Sequence, residues 1–150
     1  MLHSRIARKF DYYVIYHLRA MELPLARFAL FVIFFWFGAL KLFDKSPANP
    51  LVADLLHKTL PFVSFNQFII FFGLLEMAVG IVFLLPRMER VAIALLLPHM
   101  VTTFLPLVLL APITWQAPFV PTLEGQYIIK NLVIIALACT VAACIRPWRK

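Results

Sequence analysis

Phe68-Ile-Ile-Phe-Phe-Gly-Leu-Leu-Glu76-Met-Ala-Val-Gly-Ile-Val-Phe-Leu-Leu-Pro86 is an apolar run interrupted by one carboxylate. Its length approaches the ~20 residues with which a helix crosses a bilayer. A carboxylate at that depth costs roughly 2.5–3.5 kcal/mol on insertion scales. Glu76 is therefore expected either to face the inside of a helical bundle and meet a partner, or to lie protonated. Gly73 and Gly80 stand three residues before it and four after it, which places all three on one helix face. Small residues on a face let a neighbouring helix approach closely, so this face is read as buried against another span.

Three more apolar segments flank this one. The four spans are read as Leu25–Phe43, Asn66–Leu85, Val91–Ala111 and Tyr127–Ile145. Hydrophobic residues make up 63% of the 150-residue chain and the mean hydropathy is +0.92. A soluble domain has roughly 45–50% apolar residues, so the composition excludes that class. The breaks between spans are legible: Asp44-Lys-Ser-Pro-Ala-Asn-Pro50 opens a polar loop, Pro86-Arg-Met-Glu-Arg90 reads as a tight turn, and the stretch 111–121 is rich in proline. The spans show no strand-like alternation. The fold expected is all-α, a transmembrane four-helix bundle over 25–145.

The net charge of +7 is distributed unevenly. Arg5, Arg8, Lys9, Arg19, Arg27, Arg87, Arg90, Arg146, Arg149 and Lys150 fall on the side of the two termini. Only Lys41, Lys45, Lys58 and Lys130 fall on the other. The positive-inside rule then places both termini in the cytoplasm, and the basic residues serve topology and anionic lipid rather than nucleic acid. Residues 1–24 carry charges throughout and lack a continuous apolar core before a small-residue site, so no cleavable signal peptide is expected. Within them Ile6, Phe10, Tyr13, Val14, His17, Leu18 and Met21 recur at helical spacing. This segment is read as an amphipathic helix on the cytoplasmic side, lying on the inner leaflet or docking a partner. Leu51–Leu60 is read as a short helix on the outer surface, and residues 146–150 as a basic tail. Cys139 and Cys144 form no C-x-x-C pair and are read as free core thiols. No metal-ligand cluster, P-loop or nucleophile elbow is present in the sequence.

Several polar residues are candidates for a site. Arg27, Phe31, Phe34, Gly38 and Lys41 share one face of the first span. Lys41, near its outer end, is expected to snorkel to the interface, with a buried role as the alternative; Arg27 is read as an interfacial anchor. His99, Thr102, Thr103 and Pro106 share a face of the third span, after Pro98. His99 lies roughly 12 Å from one end of its span and Glu76 roughly 15 Å from the other, so both fall near the midplane. A Glu76–His99 contact is geometrically allowed; a neutral core histidine bonded to a threonine or to a freed carbonyl is the simpler expectation. Glu124 near a helix N-terminus suits the dipole. Lys130 and Asn131 follow one turn inside. With Lys41 they are read either as a cationic pocket open to the outer side, suited to an anionic or quinone-like ligand, or as a bare polar cluster between helices.

Leu25-Ala-Arg-Phe-Ala-Leu-Phe-Val-Ile-Phe-Phe-Trp-Phe-Gly-Ala-Leu-Lys-Leu42 resembles the first span of DoxX-like membrane proteins. Gly73-Leu-Leu-Glu-Met-Ala-Val-Gly80 resembles their second, and Glu124-Gly-Gln-Tyr-Ile-Ile-Lys-Asn-Leu132 the start of their fourth. The longer loop after the first span is similar to the branch that includes inner-membrane proteins of reactive-chlorine resistance. The resemblance covers about residues 24–145. It implies a four-helix bundle of the bacterial inner membrane, with relatives in quinone-linked oxidoreductases and in oxidative-stress defence. Arg27, Lys41, Glu76, Lys130 and Asn131 match the family pattern; His99 has no settled role in it.

The function expected is that of an auxiliary or ligand-binding subunit in membrane redox or oxidative-stress defence. Its ligand would be quinone-like or lipid, held by Lys41, Glu76, His99, Glu124, Lys130 and Asn131. Independent enzymatic activity is not expected; were there any, it would be that of a quinone-linked oxidoreductase subunit. A homo-oligomer or a redox-protein partner completes this reading. The alternatives are a proton-coupled transporter or permeability factor using Glu76 and His99, and a structural or assembly protein.

Overall fold

The computed structural model describes the backbone of residues 2–143 and the side chains of residue 5 and residues 7–143. Cys144 and the basic tail 146–150 lie outside the described residues. The chain is built almost entirely of helices: α1 (Leu2–Leu42), α2 (Asn49–Thr59), α3 (Phe65–Leu84), α4 (Glu89–Phe104), α5 (Pro106–Leu109), α6 (Ala111–Thr114) and α7 (Leu123–Ala143), with a two-stranded hairpin, β1 (Trp115–Ala117) and β2 (Val120–Pro121), between α6 and α7. Four helical stretches are long and apolar enough to cross a membrane: Ala7–Leu42, Phe65–Leu84, Glu89–Leu109 and Leu123–Ala143. The fold is thus an all-α bundle of four spans, and the protein is a multi-pass membrane protein.

The four long helices form a ring in which α1 packs on α3, α3 on α4, α4 on α7 and α7 on α1. Each buries one stripe. In α1 the stripe is Ala26, Leu30, Phe34, Gly38 and Lys41; in α3 it is Ile69, Gly73, Glu76, Val79, Gly80 and Phe83. Steps of three and four residues keep such positions on one face. The opposite faces are as apolar as the core: Phe28, Trp36, Phe71, Leu97, Val101, Leu132 and Val133 are all more than half exposed. A helix that is hydrophobic all round needs an apolar surrounding, and a lipid bilayer supplies it.

Glycines set the α1–α3 seam. A Cβ on Gly38 would stand 2.6 Å from the Gly73 carbonyl oxygen, and one on Gly73 would stand 2.8 Å from that of Gly38. Further along, a Cβ on Gly80 would meet the Phe35 amide nitrogen at 2.9 Å. The two helices run antiparallel with their backbones in contact.

The interior is divided. Toward the end of the bundle that carries the termini, the core is Ala26, Leu30, Phe34, Val79, Phe83, Ala92, Leu96, Met100, Ala138 and Val141. The buried polar side chains Lys41, Ser46, Glu76, His99 and Thr114 all lie at mid-depth or toward the other end. That end is capped by α2, α5, α6 and the hairpin. The Lys58 ammonium donates to the Leu109 carbonyl at 2.6 Å, and the Trp115 indole donates to the Leu107 carbonyl at 2.9 Å. Gly125 lets α7 press on α6, since a Cβ there would stand 2.1 Å from the Thr114 oxygen.

Three differences from the sequence reading concern element boundaries. The amphipathic N-terminal segment is helical, but α1 runs through Pro24 without a break into the first span. Its first half, up to Glu22, is almost wholly exposed. The span read as Val91–Ala111 is helical from Glu89 to Leu109, with Leu105 keeping helical torsions ahead of Pro106. The proline-rich 111–121 stretch is ordered as a helical turn and a hairpin whose tip residue, Phe119, has φ 62°. A further difference concerns Cys139, which is exposed on the outside of α7 rather than buried in the core.

Candidate functional site

Lys41, Glu76 and His99 come together inside the bundle, each from a different helix. The two glycines that bring α1 and α3 into contact also set the charges facing each other. Lys41 follows Gly38 by three residues and Glu76 follows Gly73 by three; in antiparallel helices these lie one turn to either side of the contact, and the two side chains, each leaning toward its own helix N-terminus, reach back across it. The Lys41 ammonium donates to Glu76 Oε2 at 2.6 Å. Glu76 Oε1 faces His99 Nε2 at 3.5 Å, an ion-pair distance that is long for a hydrogen bond. Lys41, Glu76 and His99 are 5%, 6% and 5% exposed. Lys41 therefore does not snorkel. The Gly38–Gly73 contact places the Glu76 carboxylate within reach, and an ammonium that turns inward finds a charged acceptor.

Aromatic rings wall the cluster. The His99 ring stacks on Phe72 with centroids 5.1 Å apart and meets Phe34 edge-on at 5.3 Å. The Lys41 ammonium lies 5.4 Å from the Phe72 ring centre, within cation–π range. The sequence reading placed Phe34 on the Lys41 face but gave neither ring a role. The hydroxyls of Thr102 and Thr103 donate to the backbone carbonyl of His99 at 2.8 and 2.9 Å, not to its ring. The expected threonine contact is thus made through the main chain. His99 Nδ1 is buried with no hydrogen-bond partner. A neutral imidazole with its proton on Nε2, toward the carboxylate, presents Nδ1 as an acceptor.

The other three candidates stand apart. Glu124 is exposed in the first turn of α7, where the dipole favours it. Lys130 is exposed with its ammonium 5.2 Å from the Tyr127 ring centre, and the Asn131 amide donates to the Tyr127 carbonyl at 3.2 Å. The interior face of α7 carries Gly125, Ile128, Ala138 and Val141. At about 100° per residue, Lys130 lies roughly 200° around the helix from Ile128, so it points away from the bundle. None of the three makes a polar contact with Lys41, Glu76 or His99 among the described residues. The Lys41, Glu76 and His99 side chains are buried against one another.

A second ion pair joins Arg27 of α1 to Glu89, the first residue of α4, at the end that carries the termini. The partner of Arg27 was not foreseen from the sequence. Its signal was an acidic residue opening a helix. No cluster of histidine, cysteine and carboxylate side chains that could hold a metal occurs among the described residues. Comparison with protein-family models, curated proteins and solved structures finds no match.

Proposed function

We propose that the chain is a DoxX-like protein of a bacterial inner membrane, with both termini in the cytoplasm. Its buried Lys41–Glu76–His99 cluster receives the polar head of a small apolar ligand, quinone-like in chemistry. The protein then serves membrane redox or oxidative-stress defence as an auxiliary subunit, as a homo-oligomer or beside a redox partner, without independent turnover. The observation that carries this reading is His99 Nδ1, a buried acceptor with no partner next to a stacked phenyl ring. A buried polar group without a hydrogen bond costs about 1–3 kcal/mol. A planar ring bearing a hydroxyl, such as a hydroquinone, satisfies both features by donating to Nδ1 and packing on the aromatic wall. Phe72 is only half-buried, so its ring is the part of that wall nearest the bundle surface. The test is purification in mild detergent, solvent extraction and mass spectrometry. Quinone or lipid should co-purify, and His99→Phe and Glu76→Gln should lower its content. A ligand-free protein whose stability Glu76→Gln leaves untouched would refute the reading.

The 3.5 Å approach of Glu76 to His99 favours a second reading, a proton relay in a transporter. It predicts a pH-dependent flux in proteoliposomes that Glu76→Gln abolishes; absence of flux for every solute tried would count against it.

A further inference from the structure

At the end of the bundle where α1 enters the first span, α1 and the last turn of α3 form an open surface depression lined by Leu23, Pro24, Arg27 and Leu84, of which Pro24 and Leu84 are exposed. Its lining is three apolar side chains and one guanidinium. It lies where α3 gives way to the turn before α4, at the level of the membrane interface. Glu89 occupies one corner of the guanidinium through Nη2. Arginine has five N–H donors, and the buried Arg27 Nε has no partner. Among the described residues, Arg19 lies about two turns before Arg27 on α1, and Arg87 and Arg90 flank Glu89 at the turn into α4.

We propose that this depression binds one anionic phospholipid, with its phosphate on Arg27 and its glycerol and first acyl carbons against Leu23, Pro24 and Leu84. Each part of the lining matches a part of that ligand. A guanidinium pairs with phosphate through several parallel N–H donors. Leucine and proline walls accept the acyl stem. A zwitterionic lipid brings a choline or ethanolamine cation into a field that is already positive, whereas an anionic headgroup is drawn to it. Glu89 holds the guanidinium in place and lowers its net charge. This makes a phosphate with a single negative charge, carried on an apolar stem, a better fit than a free multiply charged anion.

The test is native mass spectrometry of the full chain released from detergent, titrated with phosphatidylglycerol, phosphatidylcholine or inorganic phosphate. Phosphatidylglycerol should bind at one site on the order of tenfold more tightly than phosphatidylcholine, about 1.4 kcal/mol, and inorganic phosphate should not displace it. Arg27→Gln should remove the preference. Because that change also breaks the ion pair with Glu89, Leu84→Trp supplies an independent arm. It covers the depression with a bulky ring while leaving Arg27 and Glu89 in place, and should abolish lipid retention without altering the far-ultraviolet circular dichroism. Equal binding of the two lipids, or retention of phosphatidylglycerol by Leu84→Trp, overturns the proposal. Displacement by inorganic phosphate also overturns it and identifies a free-anion site.

Discussion

Replacing Lys41 by methionine tests the centre of the structure. At 2.6 Å and an effective dielectric of about 20, the attraction between ammonium and carboxylate is about 6 kcal/mol. Withdrawing each ion from water costs several kcal/mol, so the pair as a whole is close to balance. Removing only the lysine upsets that balance. Glu76, 6% exposed, is left in the interior without its cation, a change that costs about 3–5 kcal/mol. Lys41→Met is therefore expected to be strongly destabilising. Lys41→Met combined with Glu76→Leu is expected to cost much less than the two single changes added together. Unfolding in mixed micelles, followed by tryptophan fluorescence, measures all three variants as a double-mutant cycle. A Lys41→Met protein within about 0.5 kcal/mol of the parent would mean that Lys41 points to the interface after all. Additivity in the cycle would refute the pairing.

Other positions give sharper contrasts. Gly73→Ala, by forcing a Cβ to within 2.8 Å of the Gly38 carbonyl, should part α1 from α3 and cost about 1–3 kcal/mol in the same unfolding assay. Gly125→Ala, with only 2.1 Å to the Thr114 oxygen, should do at least as much and should loosen the cap, read as faster hydrogen exchange in residues 106–122. Glu124→Ala and Lys130→Ala alter exposed side chains and should stay within about 0.5 kcal/mol of the parent. They should also leave ligand content unchanged; loss of ligand in Lys130→Ala would bring α7 into the site.

The spans were legible because a membrane helix announces itself by length and uniform hydrophobicity; the start of the first was not, since its helix begins at Leu2 and runs through Pro24. The seam was legible in part. Gly38 and Lys41 repeat the i, i+3 spacing of Gly73 and Glu76; antiparallel packing sets the charges one turn to either side of the glycine contact, and the lean of each side chain toward its helix N-terminus closes the gap. What sequence leaves undecided is the direction of a lysine near a helix end. A long flexible stem reaches water or a buried acceptor equally well, and only the distance between helices decides. Lys130 and Asn131 were misleading for a related reason. They sit at the right depth, but depth says nothing of azimuth, and the inward face of α7 becomes apparent only once Gly125 is seen against Thr114. The hairpin escaped notice because its tip, Pro118-Phe119, lacks the glycine or asparagine that usually supplies a positive φ.

The placement of the polar cluster also bears on which of the two functional readings is physically easier. Between His99 and the Arg27–Glu89 pair lie Leu30, Val79, Phe83, Ala92 and Leu96, and no buried polar side chain among the described residues. From Glu76 to Phe83, and from His99 to Ala92, is seven residues in each helix, or roughly 10 Å. A hydrogen bond spans about 3 Å, so a proton leaving His99 toward the termini would need a file of about three waters through close-packed leucine, valine and phenylalanine. Water enters a cavity only where polar partners hold it, and this layer offers none. A relay would therefore require the helices to part. A site that takes a ligand head from the lipid side needs no path through this layer. The division of the core into a dry half and a charged half thus favours a one-sided binding site over a path through the membrane.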